Sequence, residues 1–99
     1  MTIDKKPENG SLTLALEGRL DTATAPQLQD VLLPAFDEAR EIILDFAELA
    51  YVSSAGLRVL LIGQKTAKAK EASMKIRNVS DEIMEVFEMT GFSNILTFV

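Results

Sequence analysis

The stretch from residue 42 to residue 62 limits the possible folds more than any other part of the sequence. It begins with Ile42-Ile43-Leu44, a continuous apolar run rich in β-branched side chains. Such a run is typical of a strand covered on both faces, usually in a parallel sheet. After Ser53 and Ser54 the pattern becomes that of a helix whose first half is apolar nearly all round. A helix start presents free backbone N–H groups and the positive end of the helix dipole, which favour negative charge. This strand–helix junction is therefore our candidate functional site.

Strand and helix patterns alternate along the rest of the chain. Leucines recur at every second position from Leu12 to Leu16, as in a strand with one apolar face, whereas apolar residues from Leu28 to Ala39 recur with helical spacing. This alternation implies right-handed crossovers and a mostly parallel sheet. We predict one α/β domain over residues 1–99, with four to five strands, an antiparallel N-terminal hairpin and about three helices mainly on one face. The predicted strands cover residues 2–6, 12–17, 41–46, 73–79 and 94–99, and the helices cover about 26–39, 54–70 and 81–90.

Turn residues set the predicted boundaries. Pro7 and the Asn9-Gly10 pair end the first strand and close a hairpin, and Gly18 ends the second strand. Pro34 should kink or shorten the first helix, because proline cannot donate a helix hydrogen bond. Residues 47–52 are predicted to connect the central strand to the serines.

Cysteine and histidine are both absent, which excludes several classes of site. Without them the chain cannot form a disulfide, a Cys/His zinc site or a nucleophile paired with histidine. Fifteen acidic against ten basic residues give a net charge of −5, opposite to the basic footprint of a nucleic-acid-binding protein. Asp21 and Asp45 could still form a catalytic pair, but the position of Asp45 at a strand end has a structural explanation. We therefore predict no enzyme activity, no catalytic residues, no metal, no cofactor and no nucleic-acid partner.

The sequence has no run of 18 apolar residues, and its N-terminal segment lacks the apolar region of a signal peptide. We expect a soluble cytoplasmic protein that does not insert directly into a membrane.

Three blocks of the sequence resemble the signature of STAS domains, and of the bacterial anti-sigma factor antagonists in particular. Gly18-Arg19-Leu20-Asp21 is similar to the family's Gly-x-Leu-Asp block. Leu44-Asp45-Phe46, followed by the run from Tyr51 to Leu57, resembles a hydrophobic strand that leads to Asp-Ser/Thr-Ser/Ala-Gly-Leu at a helix start. Met89-Thr90-Gly91-Phe92 is similar to the turn before the last strand. The resemblance covers nearly the entire chain.

Two features depart from the family pattern. Ser53 replaces the aspartate that usually precedes the phosphate acceptor. The chain also stops after the last predicted strand, where many members continue into another helix. We expect this to expose sheet or core surface, or to leave room for a different partner.

The resemblance implies a switchable binding module. Antagonists of this family bind an anti-sigma factor that is also a serine kinase, and so release a sigma factor; phosphorylation ends the binding and a serine phosphatase restores it. By register the acceptor is Ser54, with Ser53 as a second candidate, and Asp21 corresponds to the aspartate expected beside the acceptor. We expect the protein to be a monomer or a weak dimer. The expected partner surface consists of Asp21, Thr22, Ser53, Ser54, Ala55, Gly56, Leu57 and Arg58.

Structural explanations stand beside these roles. Ser53 and Ser54 are both good N-caps. Gly56 allows close packing early in a helix, and Asp21 is either a solvated loop carboxylate or a helix-entry cap.

Two other functions remain open at this point. One is a STAS regulatory subunit of a membrane transport complex, such as an ABC-type lipid transporter. The other is a STAS module that senses a nucleotide or small molecule, although no Walker-type glycine-rich lysine loop supports it.

Overall fold

Strands and helices alternate through a computed structural model that describes residues 1–99. The sheet has the order β1-β2-β3-β4-β5, with β1 antiparallel to β2 and every other neighbouring pair parallel. This confirms the mixed sheet with an N-terminal hairpin. The strands are β1 (Thr2–Glu8), β2 (Ser11–Leu20), β3 (Glu41–Val52), β4 (Ser73–Arg77) and β5 (Thr97–Phe98); the helices are α1 (Ala25–Ala35), α2 (Ser54–Ala69) and α3 (Asp81–Thr90), followed by a 3₁₀ turn at Phe92–Asn94.

The three helices lie on one face of the sheet. Crossovers between parallel strands are right-handed as a rule. Because each strand is added on the same side of the previous one, every connecting helix then falls on the same face. Leu14, Leu44 and Ile76 are paired in register across β2, β3 and β4, and all three are fully buried beneath the helices. No helix here combines the length and the apolar character that a membrane-spanning segment needs.

The opposite face of the sheet carries no helix and is rich in charged side chains. Glu41 pairs with Lys75 at 2.8 Å between carboxylate and ammonium, and Asp45 pairs with Arg77 at 3.3 Å. Ile43 lies between them on β3 and is only half-buried. The expectation that the central strand is covered on both faces is therefore wrong. Ile42 and Leu44 are buried on the helix side, whereas Ile43 lies on the uncovered side.

Three of the predicted strand ends are too early. β1 continues through Pro7, which is tolerated because β1 is an edge strand. β2 continues past Gly18. This glycine has a φ of +109° and lies in a part of β2 where the pairing with β3 is irregular. Residues 47–52 are not a connection but the second half of β3, paired with the extended end of β2. Because Leu49 and Val52 are buried three residues apart, the two-residue period of a strand is broken there.

The remaining boundaries follow from local backbone chemistry. Pro34 shortens α1, which ends one residue later at Ala35. Asn78, with φ +59°, ends β4 two residues before the predicted end. Gly91, with φ +82°, ends α3 and leads into the 3₁₀ turn, so that β5 keeps only two of its six predicted residues.

Candidate functional site

Ser53 is the N-cap of α2. Its hydroxyl accepts a hydrogen bond from the backbone N–H of Gly56 at 3.3 Å, and its carbonyl accepts one from Leu57 at 2.9 Å. Its own N–H donates to the carbonyl of Leu20 at 2.8 Å. The half-buried Ser53 therefore ties the start of the helix to the end of β2, and the capping explanation holds for this serine.

Ser54 is the first residue of α2 and differs from its neighbour in every respect that matters for chemistry. Its side chain is exposed, and its hydroxyl makes no hydrogen bond within the chain. The first N–H groups of a helix have no acceptor inside the helix. Ser53 accepts the hydrogen bond of only one of them, the N–H of Gly56. The N–H groups of Ser54 and Ala55 still lack a partner in the helix. Ser54 thus offers a free hydroxyl at a position that favours negative charge.

Gly56 brings the helix start close to the end of β2. A Cβ at this position would lie 2.7 Å from Cγ of Leu20 and 3.1 Å from its carbonyl oxygen. No side chain fits there, which supports the close-packing explanation for this glycine. Leu57 is only 7% exposed. Gly56 and Leu57 therefore position the junction but present little surface to a partner.

Asp21 holds the turn that precedes α1. Its Oδ1 accepts hydrogen bonds from the N–H groups of Ala23 at 3.0 Å and Thr24 at 3.1 Å. The hydroxyl of Thr24 closes the loop, because it donates to the carbonyl of Arg19 and accepts from the N–H of Asp21. The hydrogen bond from the Thr24 N–H holds the pKa of Asp21 below its usual value. Asp21 therefore orders the turn before α1 and does not cap the helix, whose N-cap residue is Thr24, without a side-chain cap hydrogen bond. It is a loop carboxylate that is half-buried and held by its own turn.

The loop of Asp21 and the start of α2 leave adjacent strands side by side. Leu20 is paired with Val52, and the next residue on each strand is Asp21 and Ser53 respectively. A groove of about 310 Å³ runs between the two helix starts. It is lined by Thr22, Ala25, Pro26, Gln29, Asp30, Ala55, Arg58 and Val59.

The predicted partner surface divides by exposure. Thr22, Ser54 and Arg58 are exposed and form its accessible part. The half-buried members are Asp21, Ser53 and Ala55, and the buried ones are Gly56 and Leu57.

Sequence reasoning missed one pair of side chains at this site. Arg19 and Tyr51 are opposite each other on β2 and β3, and the guanidinium carbon lies 4.2 Å from the centroid of the ring. Tyr51 remains 41% exposed, so a large aromatic surface borders the junction. Residues 47–52 lack the two-residue apolar period of a strand, so their sequence gives no sign of this contact. Only strand pairing places residue 51 against residue 19.

Asp45 does not belong to this site. It is paired with Ala15 and Arg77 in the middle of the sheet, seven residues before Val52 on β3. At roughly 3.3 Å per strand residue, this separates it from Asp21 by on the order of 20 Å. The two carboxylates cannot act on one substrate, so the catalytic pair considered from the sequence is not formed.

Several known proteins are similar to this chain. The family model described as "Mlab, STAS domain" matches residues 2–97. A Bordetella bronchiseptica protein named as a candidate anti-sigma factor antagonist, BtrV, is 35% identical over 96 residues, covering 96% of this chain and 81% of the relative. The anti-sigma-B factor antagonist of Bacillus subtilis is 25% identical over 96 residues, covering 97% and 88%.

Solved structures show the same fold. The unphosphorylated form of the anti-sigma factor antagonist SpoIIAA aligns with a TM-score of 0.76 at 18% identity, covering 99% of this chain and 87% of that one. The phosphorylated form of SpoIIAA from Bacillus aligns with a TM-score of 0.74 at 20% identity, covering 99% and 91%. At these identities the alignments support a common fold.

Proposed function

The chain belongs to the STAS domain family, and from that premise we propose that it is an anti-sigma factor antagonist whose binding is switched off by phosphorylation of Ser54. Its partner is an anti-sigma factor, which the chain binds so that a sigma factor is released. The names of both relatives favour this function over that of a transport-complex subunit. In the finer form of the proposal, the anti-sigma factor is itself the serine kinase, a serine phosphatase restores binding, and residues 1–99 act as one STAS domain.

The difference between two adjacent serines carries the assignment of the acceptor. The hydroxyl of Ser53 is engaged by the N–H of Gly56 and is half-buried, whereas the hydroxyl of Ser54 is free and exposed. A kinase must bring the acceptor oxygen to the γ-phosphate of ATP, which requires an accessible hydroxyl. Ser54 meets this requirement without any change in the fold.

The chemistry of the switch follows from the position of Ser54. A phosphate adds about −1.5 to −2 charges at neutral pH, and the start of α2 tolerates them because of its dipole and free N–H groups. A partner that packs against the unmodified surface around Thr22, Ser54 and Arg58 must instead desolvate the charge of the phosphate. A penalty of about 3 kcal/mol weakens binding more than a hundredfold. Binding is thus lost while the domain stays folded.

The proposal is tested with the cognate anti-sigma kinase and ATP. We expect mass spectrometry to place one phosphate on Ser54, and none on Ser53. We also expect Ser54→Asp to weaken binding to the kinase at least tenfold by calorimetry, because it puts a fixed charge at the same surface.

Ser80→Asp is the matched control. Ser80 caps α3 in the same way that Ser53 caps α2, and aspartate is an equally good cap, so this variant adds the same charge at another helix start. Its binding should equal that of the wild type. The proposal fails if Ser54 is never modified, or if Ser54→Asp binds as tightly as Ser80→Asp.

A further inference from the structure

We propose that Arg58 is the counter-ion of a phosphate on Ser54, so that phosphorylation also withdraws a positive charge from the partner surface. The inference rests on the phosphorylation proposed above. It concerns what this chain does with the phosphate once it is attached.

Ser54 and Arg58 are separated by one helical turn. Residues four apart on a helix have Cβ atoms about 5–6 Å from each other, within reach of an arginine and a phosphoserine. Both side chains are exposed, and Arg58 takes part in no ion pair. Its guanidinium is therefore available, and its planar donors suit a phosphate.

The charges around the pair leave Arg58 and the phosphate free to meet. The first turn of α2 contains no acidic residue, and Ser53 is neutral. Asp21 is held by its own loop and lies 3.8 Å from Arg19. Asp30 is the one carboxylate among the residues that line the groove with Arg58, and it forms no ion pair with Arg58.

Pairing changes the partner surface in two ways. The phosphate introduces negative charge at Ser54, and the guanidinium of Arg58 turns from the groove towards that phosphate. A partner that binds the unmodified surface through Arg58 then meets a negative group and has lost its cation. This makes the switch larger than the added charge alone.

The test uses the full chain with phosphoserine encoded at position 54, so that no kinase is needed. The second pKa of the phosphate is followed by ³¹P NMR titration. A nearby guanidinium favours the dianion, so we expect this pKa to lie below the value of about 6 typical of phosphoserine. In Arg58→Ala it should rise by about 0.2 to 0.7 of a pH unit, the range expected for an exposed ion pair. Arg58→Lys should recover part of the shift, since lysine keeps the charge but not the planar donors.

Lys65→Ala is the control for the loss of one positive charge. Lys65 lies on the same helix, is exposed and forms no ion pair, but it is about 16 Å from Ser54 along the helix axis. The phosphate pKa should be nearly unchanged in this variant. An equal shift in Lys65→Ala and Arg58→Ala, or no shift in Arg58→Ala, would overturn the inference.

Failure of this inference can be told apart from failure of the proposed function. If the phosphoserine-54 chain still binds the anti-sigma kinase as tightly as the unmodified chain, the switch is wrong, whatever the NMR titration shows. If binding is lost but the phosphate pKa is the same in Arg58→Ala, the phosphorylation switch is supported and the role of Arg58 as counter-ion is rejected.

Discussion

A single step along the backbone gives two neighbouring serines different tasks. Ser53 has extended backbone angles, with φ −93° and ψ 175°, which turn its hydroxyl back towards the N–H of Gly56. Ser54 is already helical, and its side chain projects into solvent. The first serine holds the helix and the second is free for modification.

Separate substitutions should distinguish these tasks. Ser53→Ala removes the cap of α2 and should lower the free energy of unfolding by about 1 kcal/mol, whereas Ser54→Ala should change it by less than about 0.5 kcal/mol. Urea denaturation followed by circular dichroism measures both. Equal losses in the two variants would show that Ser54 also supports the fold.

Local chemistry allowed part of this site to be predicted from the sequence. The pair Ser53-Ser54 before an apolar helix is enough to locate the junction, because capping depends on residues close in sequence. The sequence could not decide which serine is the cap, since that depends on where the first helical residue falls. The contact of Arg19 with Tyr51 was out of reach for another reason: it depends on the register of two strands far apart in the chain.

The third helix is attached to the sheet through one aromatic side chain above all. Phe87 is fully buried, and its ring centroid lies 6.4 Å from that of Phe46 on β3 and 5.6 Å from that of Phe98 on β5. Because β5 has only two residues, its place at the edge depends on this packing as much as on its hydrogen bonds.

Truncation of this ring should loosen the C-terminal edge. Phe87→Ala should reduce the free energy of unfolding by about 3–5 kcal/mol, as for other large buried side chains. Met89→Ala is the control on the same helix, since Met89 is 80% exposed and should change stability by less than about 0.5 kcal/mol. Hydrogen exchange should also become faster in α3 and β5 before it does so in β2 and β3. Protection that stays uniform in Phe87→Ala would contradict this local role.

The number and order of the helices and strands were predictable, but several ends were not. Periodic apolar spacing identifies an element wherever one face is buried, as from Leu12 to Leu16. Gly18 and Pro7 usually end strands, yet here one sits in a bulged part of β2 and the other on an edge strand. Their effect depends on the neighbouring strand, and no single stretch of sequence contains that information.

On the uncovered face of the sheet, two carboxylates of β3 form ion pairs and hydrogen bonds with residues far away in the sequence. Burial alone would raise the pKa of Asp45, but hydrogen bonds from Asn78, the N–H of Ala47 and Arg77, together with the charge of Arg77, outweigh it and lower the pKa. The hydrogen bonds from Lys75 and Ser11 likewise lower the pKa of Glu41. These contacts join β2, β3 and β4 on the side that no helix covers.

Stability should therefore fall in acid. Because these carboxyl groups bind protons less readily in the folded chain than in the unfolded one, the unfolded chain takes up more protons as the pH drops through about 4. The contribution of these ionised carboxylates to the stability of the fold is complete above about pH 4 and is lost as the pH falls below that value. We expect the melting temperature to decrease between pH 5 and pH 3, and to decrease less steeply in Asp45→Asn.

Asp4→Asn provides the comparison for that measurement. Asp4 is exposed on β1 and forms no ion pair or side-chain hydrogen bond. Its pH profile should follow that of the wild type. If Asp4→Asn and Asp45→Asn flatten the profile equally, the contacts of Asp45 are not the source of the acid sensitivity.

The strands lie in the sheet in the order in which they occur in the chain. The two-residue turn at Asn9-Gly10 lets the first hairpin form from contacts close in sequence. β3, β4 and β5 are then each added beside the strand synthesised just before, and none has to insert between two others. A chain that emerges from the ribosome can thus complete its sheet in the direction of its own synthesis, with the unfinished edge always next to the segment that follows.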